Sequence, residues 1–105
     1  MLKGDARQAA EQFASAVDLD PDLGDARANL AGALLEQGKE QDALFQCREA
    51  LRRQPSHTGA RTNLALTLLK MGKQEEAKRE LIEVLRIDPQ NARALRSLQQ
   101  MSASE

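Results

Sequence analysis

Tryptophan and tyrosine are absent from this chain of 105 residues, and two phenylalanines hold the aromatic content to 2%. A core built from it has to rely on leucine and alanine meeting through small contacts. A single cysteine excludes an internal disulfide and suits a reducing compartment. No apolar run approaches the roughly 18 residues of a membrane span, and Met1-Leu2-Lys3-Gly4 leads directly into a polar stretch without a signal-peptide pattern. A cytoplasmic location with no membrane insertion is the expectation. Charge of one sign is lacking as well: charged residues make up 30%, yet the net charge is −1. A nucleic-acid partner would call for a basic face or aromatic stacking platforms, so none is expected.

What is present is a period. Pro21, Pro55 and Pro89 stand 34 residues apart, and residues 24–57 laid over 58–91 share fourteen identities. Among them are Asn29/Asn63, Leu30/Leu64, Ala31/Ala65, Leu34/Leu68, Gly38/Gly72, Ala43/Ala77 and Pro55/Pro89. The same frame reaches back through Gly4, Ala9, Ala16 and Pro21. A fixed period of this length implies stacked helical hairpins rather than one closed globule. Binding rather than chemistry is the default reading of such an array.

Each unit reads as two helices joined by glycine. Ala26, Leu30, Ala33 and Leu34 follow helical spacing up to Gly38, where a left-handed helix end costs least. A second helix, about 40–53, sets Ala43, Leu44, Cys47, Ala50 and Leu51 on one stripe. Pro55 ends it, because proline lacks an N–H and disfavours helix in the residue before it. The next unit repeats this with Leu64, Leu68 and Gly72, then Ala77, Leu81, Val84, Leu85 and Pro89. Asp22 and Ser56 are positioned to cap the following helices. Small residues at Ala31, Ala43, Ala65 and Ala77 fall where paired helices must approach closely.

Gly38-Lys39 and Gly72-Lys73, followed by Ala43 or Ala77, Ala50 or Val84, and Pro55 or Pro89, resemble the tetratricopeptide repeat, as do the Asn-Leu-Ala runs at 29–31 and 63–65. The resemblance covers essentially the whole chain. It departs from the family at Arg27 and Arg61, where a large apolar residue is usual. The family's second-helix aromatic survives only as Phe13, with Cys47 and Leu81 at the equivalent positions. The resemblance implies an all-α, right-handed superhelix of six helices in one domain spanning 1–105. Residues 1–23 supply the second helix of a partial repeat (roughly 5–18), 24–57 and 58–91 are full repeats, 92–101 is a capping helix and 102–105 a tail. Ala94, Leu95, Leu98 and Met101 form the capping helix's expected inner stripe. Ala9, Phe13, Ala16 and Val17 would have packed on a preceding helix.

Stacks of this family curve, and their first helices line the concave surface. Helical geometry puts Asp25, Ala28, Asn29, Gly32, Leu35 and Glu36 on that arc, then Gly59, Thr62, Asn63, Leu66, Leu69 and Lys70, then Arg93, Arg96, Ser97 and Gln100. Asn29, Asn63, Thr62, Leu66, Lys70, Arg93 and Arg96 are the candidate peptide-binding residues. An asparagine amide offers both a donor and an acceptor, which suits an extended peptide backbone. The alternative for Asn29 and Asn63 is support of the adjacent turn or of packing between repeats. Lys70, Arg93 and Arg96 form a cationic end suited to an acidic segment or terminal carboxylate. One family subgroup grips the carboxylate of chaperones with a five-residue clamp. Asn63 and Arg93 match two of the five, but Ala28, Gly32 and Ser97 replace the other three, so that activity is not carried over.

Phe45 falls on the outer side of its helix, where the neighbouring units have Glu11 and Arg79. With Ile82 it is a candidate convex-face contact. Cys47 lies on the core stripe and reads as a small buried hydrophobe rather than a nucleophile. His57 has no second histidine or cysteine at ligand spacing, so neither a metal nor another cofactor is expected. Carboxylates alternate with lysine and arginine along solvent faces rather than forming a buried pair. The leading expectation is a non-catalytic protein-interaction module with a protein or peptide ligand. The alternatives are a homo-oligomeric scaffold assembled through the N-terminal helix, and a regulatory or tethering segment of a larger protein.

Overall fold

Gly38 and Gly72 end two helices in the left-handed region, at φ 77° and 81°. In each case the glycine N–H donates to the carbonyl three residues back and the following lysine N–H to the carbonyl five back. These paired bonds satisfy carbonyls that a helix end leaves open. The computed structural model describes the backbone of residues 3–103 and the side chains of residues 5–103. Among these, six helices and no strand are present: α1 (Lys3–Leu19), α2 (Gly24–Glu36), α3 (Glu40–Arg53), α4 (Thr58–Lys70), α5 (Gln74–Ile87) and α6 (Ala92–Ala103). Helix α1 runs through Gly4 instead of breaking there. Helix α6 extends two residues past the expected 101, and the rest of the expected tail lies outside the described residues.

Helices α2 and α4 touch one another and form an inner layer that α6 continues, with α1, α3 and α5 outside them. Helices α2 and α4 bury residues on more than one side, because each is covered by outer helices and by its inner neighbour, whereas α6 at the end of the described stack buries one stripe. The outer helices bury one stripe and present charge on the other. Ala31, Ala43, Ala65 and Ala77 have 0% exposure, so the expected close approach of paired helices is present. The main core gathers Ala31, Leu35, Leu44, Cys47, Leu64, Leu68, Leu81 and Val84, with Leu98 and Met101 of α6 packed against it. Burial pushes the Cys47 thiol up to about 12, against a smaller lowering by the nearby Arg48 charge, as suits an inert core residue.

The structure corrects several expectations. Leu35 and Ala28 are buried rather than groove-lining, because α4 packs over that side of α2. Leu95 is exposed while Ala94 and Ser97 take the buried positions on α6. On α1, Ala9, Phe13, Ala16 and Val17 pack within this chain, against Ala26, Leu30 and Ala33 of α2. Asp22 and Ser56 do not cap helices. Helix α4 starts at Thr58, so the cap falls on His57, whose Nδ1 accepts from the Ala60 N–H; Asn91 Oδ1 serves the Ala94 N–H in the same way. The Asp22 carboxylate accepts from Arg53 instead.

Arg27 and Arg61 acquire a reason in the structure. Arg27 Nε donates to the Pro21 carbonyl at 2.8 Å and its Nη1 to Gln46 Oε1 at 2.9 Å. Arg61 repeats the bracket one period later, donating to Glu80 Oε1 at 2.7 Å and the Pro55 carbonyl at 2.8 Å. Each arginine thus ties the proline loop before its helix to the outer helix after it. The aliphatic stem fills the space that a large apolar residue otherwise takes. On α3, hydrogen bonds from Arg52 and then Arg53 hold the Glu49 carboxyl down at about 2.

Leu64 is buried in the main core, and Leu64→Ala is expected to cost about 2–5 kcal/mol. A shift of the denaturation midpoint measures this. A variant melting within a degree or two of the wild type would show that Leu64 makes no core contact.

Candidate functional site

The face offered by α2, α4 and α6 is narrower than the sequence arc. On α2 the exposed or half-exposed residues are Asp25, Asn29, Gly32 and Glu36; on α4 they are Gly59, Leu66, Leu69 and Lys70; on α6 they are Arg93, Arg96 and Gln100. Thr62 is 1% exposed, and its hydroxyl donates to the Thr58 carbonyl at 2.8 Å. Buried in this way, it presents nothing to the groove.

The two asparagines part company. Asn63 is 8% exposed, its Nδ2 donating to the Ala28 carbonyl at 2.9 Å and its Oδ1 accepting from Arg93 Nη2 at 2.8 Å. One side chain thus pins α4 to α2 and α6 to α4, which is the packing alternative among the two sequence readings. Asn29 holds the same place one repeat earlier, but among the described residues no inner helix precedes α2. It is exposed and has no side-chain partner there. Gly32 lies beside this junction, a Cβ built on it standing 3.6 Å from Asn63 Nδ2.

Charge along the face is partly committed. Asp25 Oδ1 accepts from His57 Nε2 at 2.6 Å. With Nδ1 accepting from a backbone N–H, the proton resides on Nε2. Arg93 is engaged by Asn63, whereas Lys70 and Arg96 form no ion pair among the described residues and stand exposed. One turn before Lys70 on α4 lies the half-buried side chain of Leu66. The inner face thus carries half-buried Leu66 and Leu69 and the exposed Lys70 on α4, the exposed Arg96 on α6 and the exposed amide of Asn29 on α2.

The opposite side holds a feature that the sequence only hinted at. A cavity of about 460 Å³ opens between α1 and α3, lined by Ala10, Ala14, Leu30, Leu34 and Phe45, among others. Phe45 is its wall and is 59% exposed. Ile82 is exposed too but does not line the cavity, so the two do not form one patch there. Ala10 and Ala14 were missed because alanines on an outer helix read as ordinary spacing. Their signal lies in the repeat register, where Leu44 and Arg48 take their places one period later.

Tetratricopeptide repeat models match residues 34–101 and 3–61, together nearly the whole chain. The chain belongs to the tetratricopeptide repeat family, and its fold is that family's right-handed superhelix of helical hairpins. The first such domain of Spaghetti (RPAP3), bound to the HSP90 peptide SRMEEVD, is 27% identical over 96% of this chain and 82% of that one, with a TM-score of 0.88. The second such domain of human RPAP3, in complex with the HSP70 peptide SGPTIEEVD, is 26% identical over 94% and 82%, with a TM-score of 0.83. YrrB, at 24% identity over 90% and 48% with a TM-score of 0.82, shares the fold. No curated protein sequence matches this chain.

The two asparagines are expected to separate on substitution. Asn63→Ala leaves the Ala28 carbonyl and Arg93 without their partner and should cost about 1–3 kcal/mol, whereas Asn29→Ala should leave the melting temperature unchanged. Equal melting curves for the two variants would contradict this assignment.

Proposed function

We propose that this chain is a non-catalytic interaction module that takes a short acidic peptide segment of a partner protein along the α2–α4–α6 face. The observation that carries the reading is the match over 96% of this chain to a domain holding a bound chaperone peptide, together with the exposed Lys70 and Arg96, which form no ion pair among the described residues. Leu66 provides apolar contact, and Asn29 offers its free amide to the peptide backbone. Lys70, Arg93 and Arg96 favour carboxylates, Arg93 through guanidinium N–H groups beyond the Nη2 donor that Asn63 engages.

A five-residue carboxylate clamp is not part of the proposal. Ala28, Gly32 and Ser97 stand at three of its positions, and Ala28 and Ser97 are buried. The preference is therefore for acidic side chains spread along a segment rather than for a chain terminus alone.

Titration of fluorescently labelled SRMEEVD, its C-terminal amide and a neutral permutation tests the reading. Both acidic peptides should bind, the neutral one at least several-fold more weakly. Lys70→Glu should reduce acidic-peptide affinity by about 3- to 10-fold, the scale of one or two exposed charge contacts, and lose that effect at high salt. Equal affinities for acidic and neutral peptides, or an unchanged Lys70→Glu variant, would count against this face as the site.

A further inference from the structure

The cavity between α1 and α3 lies on the side of the molecule away from the proposed peptide face and is independent of it. At about 460 Å³ it falls within the roughly 300–1,000 Å³ of ligand-sized pockets. Its floor is Leu30 and Leu34 of α2, and its apolar sides are Ala10 and Ala14 of α1 and Phe45 of α3. The rim carries both signs of charge: Arg7 and Lys39 beside Glu11 and Asp42. None of these four forms an ion pair among the described residues.

The repeat supplies a comparison for this cavity within the same molecule. One period on, Ala10 becomes Leu44, which is buried in the main core, and Gln37 becomes Met71, packed against that core. Phe45 itself becomes Arg79. The first outer groove has therefore lost the side chains that its own repeat puts in the second, and it has gained an exposed aromatic on its lip.

We infer that this face is a self-complementary surface through which a second copy of the chain docks about a two-fold axis. Such an interface must present a patch that complements itself, because the same residues are used on both sides. This patch has a projecting knob in Phe45 and a hole beside it of size to receive an aromatic ring. Its rim has two cations and two anions, so a rotated copy sets Arg7 and Lys39 against Glu11 and Asp42. Each Phe45 fills the cavity of the other copy, supplying the apolar volume that Leu44 and Met71 provide in the second groove. A buried aromatic seated centrally in a pocket, ringed by polar contacts, is the usual energetic centre of such an interface.

Sedimentation velocity from micromolar to about 1 mM protein tests this, 1 mM being a weak association on the usual scale. The wild type should shift reversibly from monomer to dimer, and the shift should weaken with added salt. Phe45→Glu alters an exposed residue and should weaken the dimer by at least about 30-fold, since both copies lose their aromatic anchor. Ala10→Leu installs the residue that the next repeat carries and should abolish the dimer while leaving the melting temperature no lower than wild type. Should Ala10→Leu fail to fold, Phe45→Glu decides alone. A wild type that stays monomeric throughout, or a dimer that persists undiminished in Phe45→Glu or in a folded Ala10→Leu protein, overturns the inference.

Discussion

Everything in this molecule depends on how closely the helices of a hairpin approach. Ala31, Ala43, Ala65 and Ala77 are entirely buried, and a methyl group is the largest side chain that such a separation accepts. Because the backbones lie so near, the main core is completed by leucines of moderate size without an aromatic side chain. Dispersion contacts are individually small, and cohesion is accordingly spread along the stack. A bulky residue at any one of these alanines would open its hairpin and displace every residue whose position depends on it.

Alignment between hairpins is a separate matter, and polar side chains perform it. Arg27 and Arg61 fasten the Pro21 and Pro55 loops to the next outer helix, His57 caps α4 while holding Asp25, and Asn63 joins three inner helices through one amide. Buried groups satisfied on several sides hold a geometry more firmly than apolar packing, which tolerates sliding. The consequence for function is direct. Residues whose hydrogen bonds are spent on the stack have less to offer a ligand, and the side chains that the stack leaves uncommitted on the proposed peptide face are Asn29, Leu66, Lys70 and Arg96, with the remaining donors of Arg93.

The two faces are built on different principles. On the inner face, curvature and repetition bring residues from three helices into one strip, and the identity of those residues is free to vary because the scaffold does not need them. On the outer face, neighbouring helices leave a furrow in which Leu44 and Met71 join the core one period on, whereas Ala10 and Gln37 at the same positions leave it open between α1 and α3. A repeat array makes such a difference visible, since each unit is a control for the next.

Much of this was legible in the sequence. The 34-residue period, the glycine ends, the proline breaks and the small residues at hairpin contacts are local or periodic properties, and each helix needs only its own residues to declare itself. The family resemblance could be read from the same positions. The sequence could not say which flank of an inner helix its neighbour would cover, so Leu35, Ala28 and Thr62 looked available and proved buried. Nor could it separate Asn29 from Asn63, which share the flanking Ala-Arg before and Leu-Ala after and differ within three residues on either side only at Ala28/Thr62 and Gly32/Leu66. Tertiary structure distinguishes them because Asn63 has a preceding inner helix whose carbonyl it reaches, and Asn29 has none among the described residues. Hydrogen-bond partners 30 and 35 residues away and a cavity between two helices are relations between distant parts of the chain, and only the packed stack decides them.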